Sequence, residues 1–159
     1  MVAPTYASDT PVERSEMLEF IGVRHHAIIS TTRADESPQM SPVTIGVDAS
    51  GAILVASYPE RAKVKNLRRR PRASLCVLSD DFGGEWIQVG GAAEVIDLPE
   101  AVDVLVTYYR SISGEHRDWA EYREAMVTQG KVAIRVTPQV WGPISRGGFP
   151  PGLAGSQRP

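Results

Sequence analysis

A single cysteine cannot close a disulfide within its own chain, and Cys76 is the only one in these 159 residues. It lies in Ala73-Ser-Leu-Cys-Val-Leu78, an apolar run with strand character, where a small buried hydrophobe is expected rather than a nucleophile. No apolar stretch approaches the roughly 18–20 residues that a membrane-crossing helix needs. The opening Met1-Val-Ala-Pro-Thr-Tyr6 lacks the basic-then-apolar layout of a signal peptide. A cytoplasmic protein with no membrane partner is the expectation. Histidine is equally scarce: His25 and His26 are neighbours that point to opposite faces of a strand, and His116 has only Glu115 and Asp118 beside it. No metal site is expected. No Ser–His–Asp or Cys–His set is recognisable, and there is no Gly-x-Gly-x-x-Gly or phosphate loop ending in Gly-Lys-Ser/Thr. Asp81-Phe-Gly83 reads as a turn. The net charge is only −2, whereas nucleic-acid-binding domains usually have a pI above about 9, so no nucleic-acid partner is expected.

Against this background one segment stands out. Residues 61–72, Arg-Ala-Lys-Val-Lys-Asn-Leu-Arg-Arg-Arg-Pro-Arg, hold seven of the 17 lysines and arginines. Such crowding raises the local potential and suits a nearby anion. Ala62, Val64 and Leu67 interrupt it at near-helical spacing, which predicts a short helix rather than a disordered basic tail. Arg61 and Lys63 then fall at its start, where free N–H groups and the positive dipole end favour phosphate. A solvated basic face without a ligand is the competing reading. No aromatic residue is interleaved with the run, as single-stranded nucleic acid would want.

The rest of the chain reads as one domain over residues 11–142, preceded by a loose segment (1–10) and followed by a Gly- and Pro-rich tail (143–159). Thr10-Pro-Val-Glu13 predicts a helix start with Thr10 as cap and Pro11 at the first turn, and Met17, Leu18, Phe20 and Ile21 give its apolar face. Strands are predicted over 27–33, 39–47 and 52–58, joined by turn residues, then over 73–79, 85–96 and 131–136. Helices are predicted from Pro99 to Ile112 and from Trp119 to Val127. Trp86, Trp119, Trp141, Tyr108 and Tyr109 read as core or interface aromatics. Six or so strands joined mostly by tight turns predict an α+β protein, mainly β, with an antiparallel sheet curled into a barrel and helices at its ends.

The order of these elements, with Arg61-Ala-Lys63-Val-Lys-Asn66-Leu-Arg-Arg69 after the third strand, resembles the pyridoxamine 5'-phosphate oxidase-like split barrels. More narrowly it is similar to the actinobacterial branch that binds the deazaflavin coenzyme F420. Thr31-Thr-Arg-Ala-Asp-Glu-Ser-Pro38-Gln-Met-Ser41-Pro-Val43 and Gly114-Glu-His-Arg-Asp118-Trp-Ala-Glu-Tyr122-Arg-Glu-Ala-Met126-Val carry the other parts of the likeness, which spans about residues 11–142. The resemblance implies a homodimer with cofactor sites at the subunit interface. It implies phosphate contacts from Arg61 and Lys63, and contacts to the ring system from Gln39, Ser41, Pro42, Val43, Ser57 and Tyr58. Four departures stand out: Ala34-Asp-Glu-Ser37 at the hairpin tip, Arg70 where the branch often has Asp, an extra glycine or so in the loop from Asp80 to Gly84, and a tail from Pro143 to Pro159 without a counterpart. The expected activity is hydride transfer from reduced deazaflavin to an unsaturated small molecule, with no catalytic side chain assigned and Arg68 and Arg69 facing the cofactor's acidic tail. An FMN flavoprotein, either oxidase or flavin reductase, is the alternative, and a non-catalytic deazaflavin carrier is a third.

Overall fold

In a computed structural model of the chain, residues 10–146 are described; the expected loose start and most of the Gly/Pro tail lie outside them. The elements run α1 (Arg14–Gly22), β1 (His26–Thr32), β2 (Pro38–Thr44), β3 (Gly46–Val47), β4 (Ile53–Ser57), α2 (Ala62–Arg69) and β5 (Arg72–Leu78). They continue with β6 (Glu85–Ile96), α3 (Ala101–Ser113), α4 (Trp119–Thr128), β7 (Val132–Val136), β8 (Val140–Trp141) and β9 (Ser145–Arg146). All pairings are antiparallel, in the order β2-β1-β5-β6-β7-β4-β3, with β8 and β9 also against β6.

The ends of this order explain the curl. β2 and β3 occupy opposite edges, yet only Ile45 separates them in sequence, so the sheet must bend until its edges approach. The single strand predicted over 39–47 is thus two strands with a break at Ile45. That residue is fully buried, and its N–H bonds the His25 carbonyl at 2.8 Å. Strand β6 supplies the opposite bend. Its residues 86–92 pair with β5 and 93–96 with β7. At Gly91 a Cβ would collide with the Thr137 carbonyl, so only glycine permits this close approach of backbones.

β1 and β5 alternate buried and half-buried residues, sending Ala27, Ile29, Ala73, Leu75 and Val77 into the barrel. Cys76 takes the other parity and is half-buried on the outer face, which corrects the expectation of a buried position; that partial burial pushes its thiol pKa up. β4 and β7 are buried on both faces, because α3 lays Ala101, Leu105 and Val106 over their outer side in a second core with Tyr122, Met126 and Ala133. The first helix starts at Arg14 rather than Pro11. Val12 packs on the core and its carbonyl accepts the Trp141 indole N–H at 2.9 Å, which holds the preceding segment out of the helix. The helix expected from Pro99 likewise begins at Ala101. Among the described residues no helix is long and apolar enough to cross a membrane.

Candidate functional site

The basic run forms α2 as its spacing predicts, with Val64, Asn66 and Leu67 turned inward. Asn66 is 4% exposed and Thr31 is 2% exposed. The Asn66 amide donates to the Thr31 hydroxyl at 3.0 Å and accepts from Arg69 at 2.6 Å, tying the helix to β1. This bond explains why an asparagine is needed three residues after Lys63: a buried amide fixes the roll of the helix, and so the direction of its first turn. Arg61, extended at φ −68° and ψ 141°, precedes the helix, and no side chain caps it. The Val64 N–H bonds the Arg61 carbonyl at 3.0 Å, whereas the N–H groups before it have no intrahelical acceptor.

Beyond that helix start, at the seam between β2 and β4, lies a cavity of about 580 Å³. It collects Ser41, Pro42 and Val43 from β2, Ser57 at the end of β4 and Tyr58 just after it, Arg61 just before α2, and Lys63 in its first turn. These are seven of the eight residues expected from sequence. Gln39 is not brought there: its side-chain oxygen accepts from Thr31 at 3.4 Å and its amide donates to the Met40 carbonyl at 3.2 Å. The fourth wall was not expected. Tyr108 and Tyr109 of α3, Tyr122 and Met126 of α4, and Lys131 before β7 complete the lining. Tyr108 and Tyr109 thus face a cavity rather than serving only as packing. Tyr122 lies in one of the segments that carried the family resemblance, and that was the only sequence signal for this wall.

The electrostatics of the cavity are one-sided, with three cations in its lining and no carboxylate. Burial, and then the charge of Arg61, hold the Lys63 pKa below its ordinary value. The Ser41 hydroxyl is buried and has no hydrogen-bond partner among the described residues. Tyr108 donates to the Thr44 carbonyl at 3.2 Å, and its pKa is raised by burial. Tyr122 donates to the Leu105 carbonyl at 2.9 Å, and burial with Tyr108 and Tyr109 nearby pushes its pKa up to about 12. Both tyrosines are neutral donors at physiological pH.

The arginines further along α2 behave differently from expectation. Arg68 makes a two-pronged bond to Asp97 at 2.6 and 3.0 Å, so its charge is locally neutralised. Arg70 reaches Glu36 at the β1–β2 hairpin tip at 3.0 Å. Two of the departures from the family pattern therefore meet in one ion pair, and Glu36 sits there with φ of 71°. Elsewhere His26 lies 3.4 Å from Asp80, and the His116 ring is enclosed by Tyr109, Trp119 and Tyr122 at centroid distances of 5.1–5.6 Å. Among the described residues no three His, Cys, Asp or Glu side chains converge as metal ligands.

The chain matches the pyridoxamine 5'-phosphate oxidase family model over residues 14–144, and it belongs to that family. Its fold is similar to that of a conserved hypothetical protein of Mycobacterium tuberculosis, with a TM-score of 0.69 and 21% identity over 86% of each chain. It is also similar to an F420 reductase, with a TM-score of 0.60 and 19% identity over 83% of this chain and 98% of that one. A heme storage protein of Vibrio cholerae matches with a TM-score of 0.61 and 16% identity, over 84% and 96% of the two chains. At such identities these likenesses establish a shared fold.

Proposed function

We propose that this protein is an oxidoreductase that binds the deazaflavin coenzyme F420 and reduces an unsaturated organic molecule. One observation carries the reading: the cavity at the start of α2 brings Arg61 and Lys63, unpaired among the described residues, together with a Ser41 hydroxyl that has no partner among them. A buried hydroxyl with no partner costs about 1–3 kcal/mol, and a half-buried ammonium without a counter-ion is also unfavourable. A ligand with a phosphate at one end and hydrogen-bonding ring atoms at the other would satisfy both. A planar guanidinium fork beside a point charge suits phosphate. The F420 reductase among the similar folds points to the particular coenzyme.

When bound, the reduced deazaflavin supplies a hydride for one carbon of a polarised double bond, the matching proton coming from solvent or a neutral hydroxyl. The chain's own task is then to bind, orient and shield. In this reading Arg61 and Lys63 hold the phosphate, while Ser41, Pro42, Val43, Ser57 and Tyr58 border the ring system. Tyr108, Tyr109 and Met126 give the acceptor an apolar wall. No side chain is required to form a covalent bond. We place the site between two subunits of a cytoplasmic homodimer. In support, none of the seven residues of β2 is buried within the single chain, and its Met40 is 61% exposed.

Reduced coenzyme F420 mixed with the protein and a panel of enones, enoate esters and quinones tests the proposal. Sustained oxidation of the coenzyme that requires both protein and acceptor is the expected result. Binding without turnover across the panel would make the protein a carrier. The Arg61–Lys63 pair would serve an FMN phosphate equally well, so turnover with FMN alone would assign the flavoprotein alternative.

A further inference from the structure

Four half-buried cationic side chains occur among residues 10–146: Arg24, Lys63, Lys131 and Arg135. Arg24 is paired with Glu85, and Arg135 with Glu94 and Asp48. Lys63 and Lys131 have neither an acidic nor a hydrogen-bonding partner among the described residues, and both line the same cavity. Lys63 is accounted for by the phosphate reading. Lys131 is not. It was absent from the sequence-based expectations, and it lies on a different element.

Its placement is specific. Gly130, with φ of 64°, turns the chain at the end of α4. The Lys131 N–H then bonds the Met126 carbonyl at 3.2 Å, so the residue is tied to the wall that carries Tyr122 and Met126 rather than to α2. Its ammonium sits over the Tyr58 ring, 4.5 Å from the centroid. The ring face offsets part of the cost of dehydrating this charge, but supplies no counter-ion. A compact ammonium held in this way beside an apolar aromatic wall is matched by a planar molecule that carries an anionic oxygen group.

We propose that Lys131 selects the substrate, and that the preferred acceptors are aromatic or conjugated molecules bearing a carboxylate next to the double bond. The carboxylate pairs with Lys131 while the ring lies against Tyr108, Tyr109 and Met126. The inference rests on the reductase reading for its description of the ligand as a substrate. The anion preference can nevertheless be measured without the coenzyme.

Cinnamate and methyl cinnamate differ in that one charge, and their binding is followed by calorimetry with inorganic phosphate present to occupy Arg61 and Lys63. The wild-type protein is expected to bind cinnamate at least tenfold more tightly than the ester. Lys131→Met, checked for folding by its thermal midpoint, should abolish the preference, and Lys131→Arg should keep most of it. Equal affinity for acid and ester in the wild type, or a preference that survives Lys131→Met, overturns the proposal. Deazaflavin titrated into Lys131→Met separates the two possible anions. Affinity within about twofold of wild type supports a substrate role. A loss as large as that of Lys63→Ala would move Lys131 into the phosphate site and overturn the assignment. Should the wild type prefer cinnamate through Lys131 yet fail to bind deazaflavin, the reductase reading fails while the anion site stands.

Discussion

At the scale of single residues, the site depends on charges kept without partners. On the proposed reading Lys63 holds the cofactor phosphate, so Lys63→Ala should weaken cofactor binding by about 1.5–3 kcal/mol, read from a fluorescence titration. The same lysine has a cost in the ligand-free protein. Its folded-state pKa lies below the ordinary 10.5, so the unfolded chain retains the proton to higher pH. Stability attributable to this group therefore rises as pH climbs from the folded value toward 10.5, and is lower at neutral pH. Lys63→Met should raise the thermal midpoint of the free protein at pH 7 and flatten its rise at alkaline pH; a fall in midpoint would show that the ammonium has a structural counter-ion. Asn66 has the opposite character, being buried and fully engaged. Asn66→Ala removes the bond donated to Thr31 and the acceptor of Arg69, and should destabilise by about 1–3 kcal/mol in urea unfolding.

At the scale of elements, the fold depends on two places where strands change partners. Ile45 passes the chain from one edge of the sheet to the other, and Gly91 lets β6 approach the Thr137 backbone. Gly91→Ala drives a methyl group into the Thr137 backbone, so it should cost more than about 1–3 kcal/mol and reduce soluble yield; a thermal midpoint like that of wild type would remove this account of the close approach. The local parts of the fold were readable because local rules govern them. The basic helix showed in Val64 and Leu67, and β6 showed over its full length from Glu85 to Ile96. The break at Ile45 was hidden because 39–47 is uniformly strand-like, and only the pairing of its two halves with different strands divides it. β8 and β9 have two residues each, too few to set up any periodicity. Of the cavity, Arg61 and Lys63 were legible for the same reason, since they lie in one motif, whereas Ser41, Pro42, Val43, Ser57 and Tyr58 followed only from the family resemblance. Tyr108, Tyr109, Tyr122 and Lys131 reach it only through the packing of α3 and α4 on the sheet, which no spacing along the chain reveals.

At the scale of the whole molecule, a curled antiparallel sheet of the pyridoxamine 5'-phosphate oxidase family carries at its seam a cavity lined by three cations and no carboxylate. An edge strand with no buried residue and an exposed Met40 needs a cover. If that cover is a second copy, the wild-type protein sediments as a dimer, and Met40→Glu shifts it toward monomer with a parallel loss of cofactor affinity. A monomeric wild type would leave the cavity to a single chain and contradict the interface placement.

The central claim is that this cavity is built for a deazaflavin. It is tested most directly by titrating the protein with coenzyme F420 and, in parallel, with FMN under identical conditions, following cofactor fluorescence. The account predicts saturable binding of the deazaflavin, tighter than that of FMN and lost in Lys63→Ala. Tighter binding of FMN, or deazaflavin binding that is indifferent to Lys63, would contradict it.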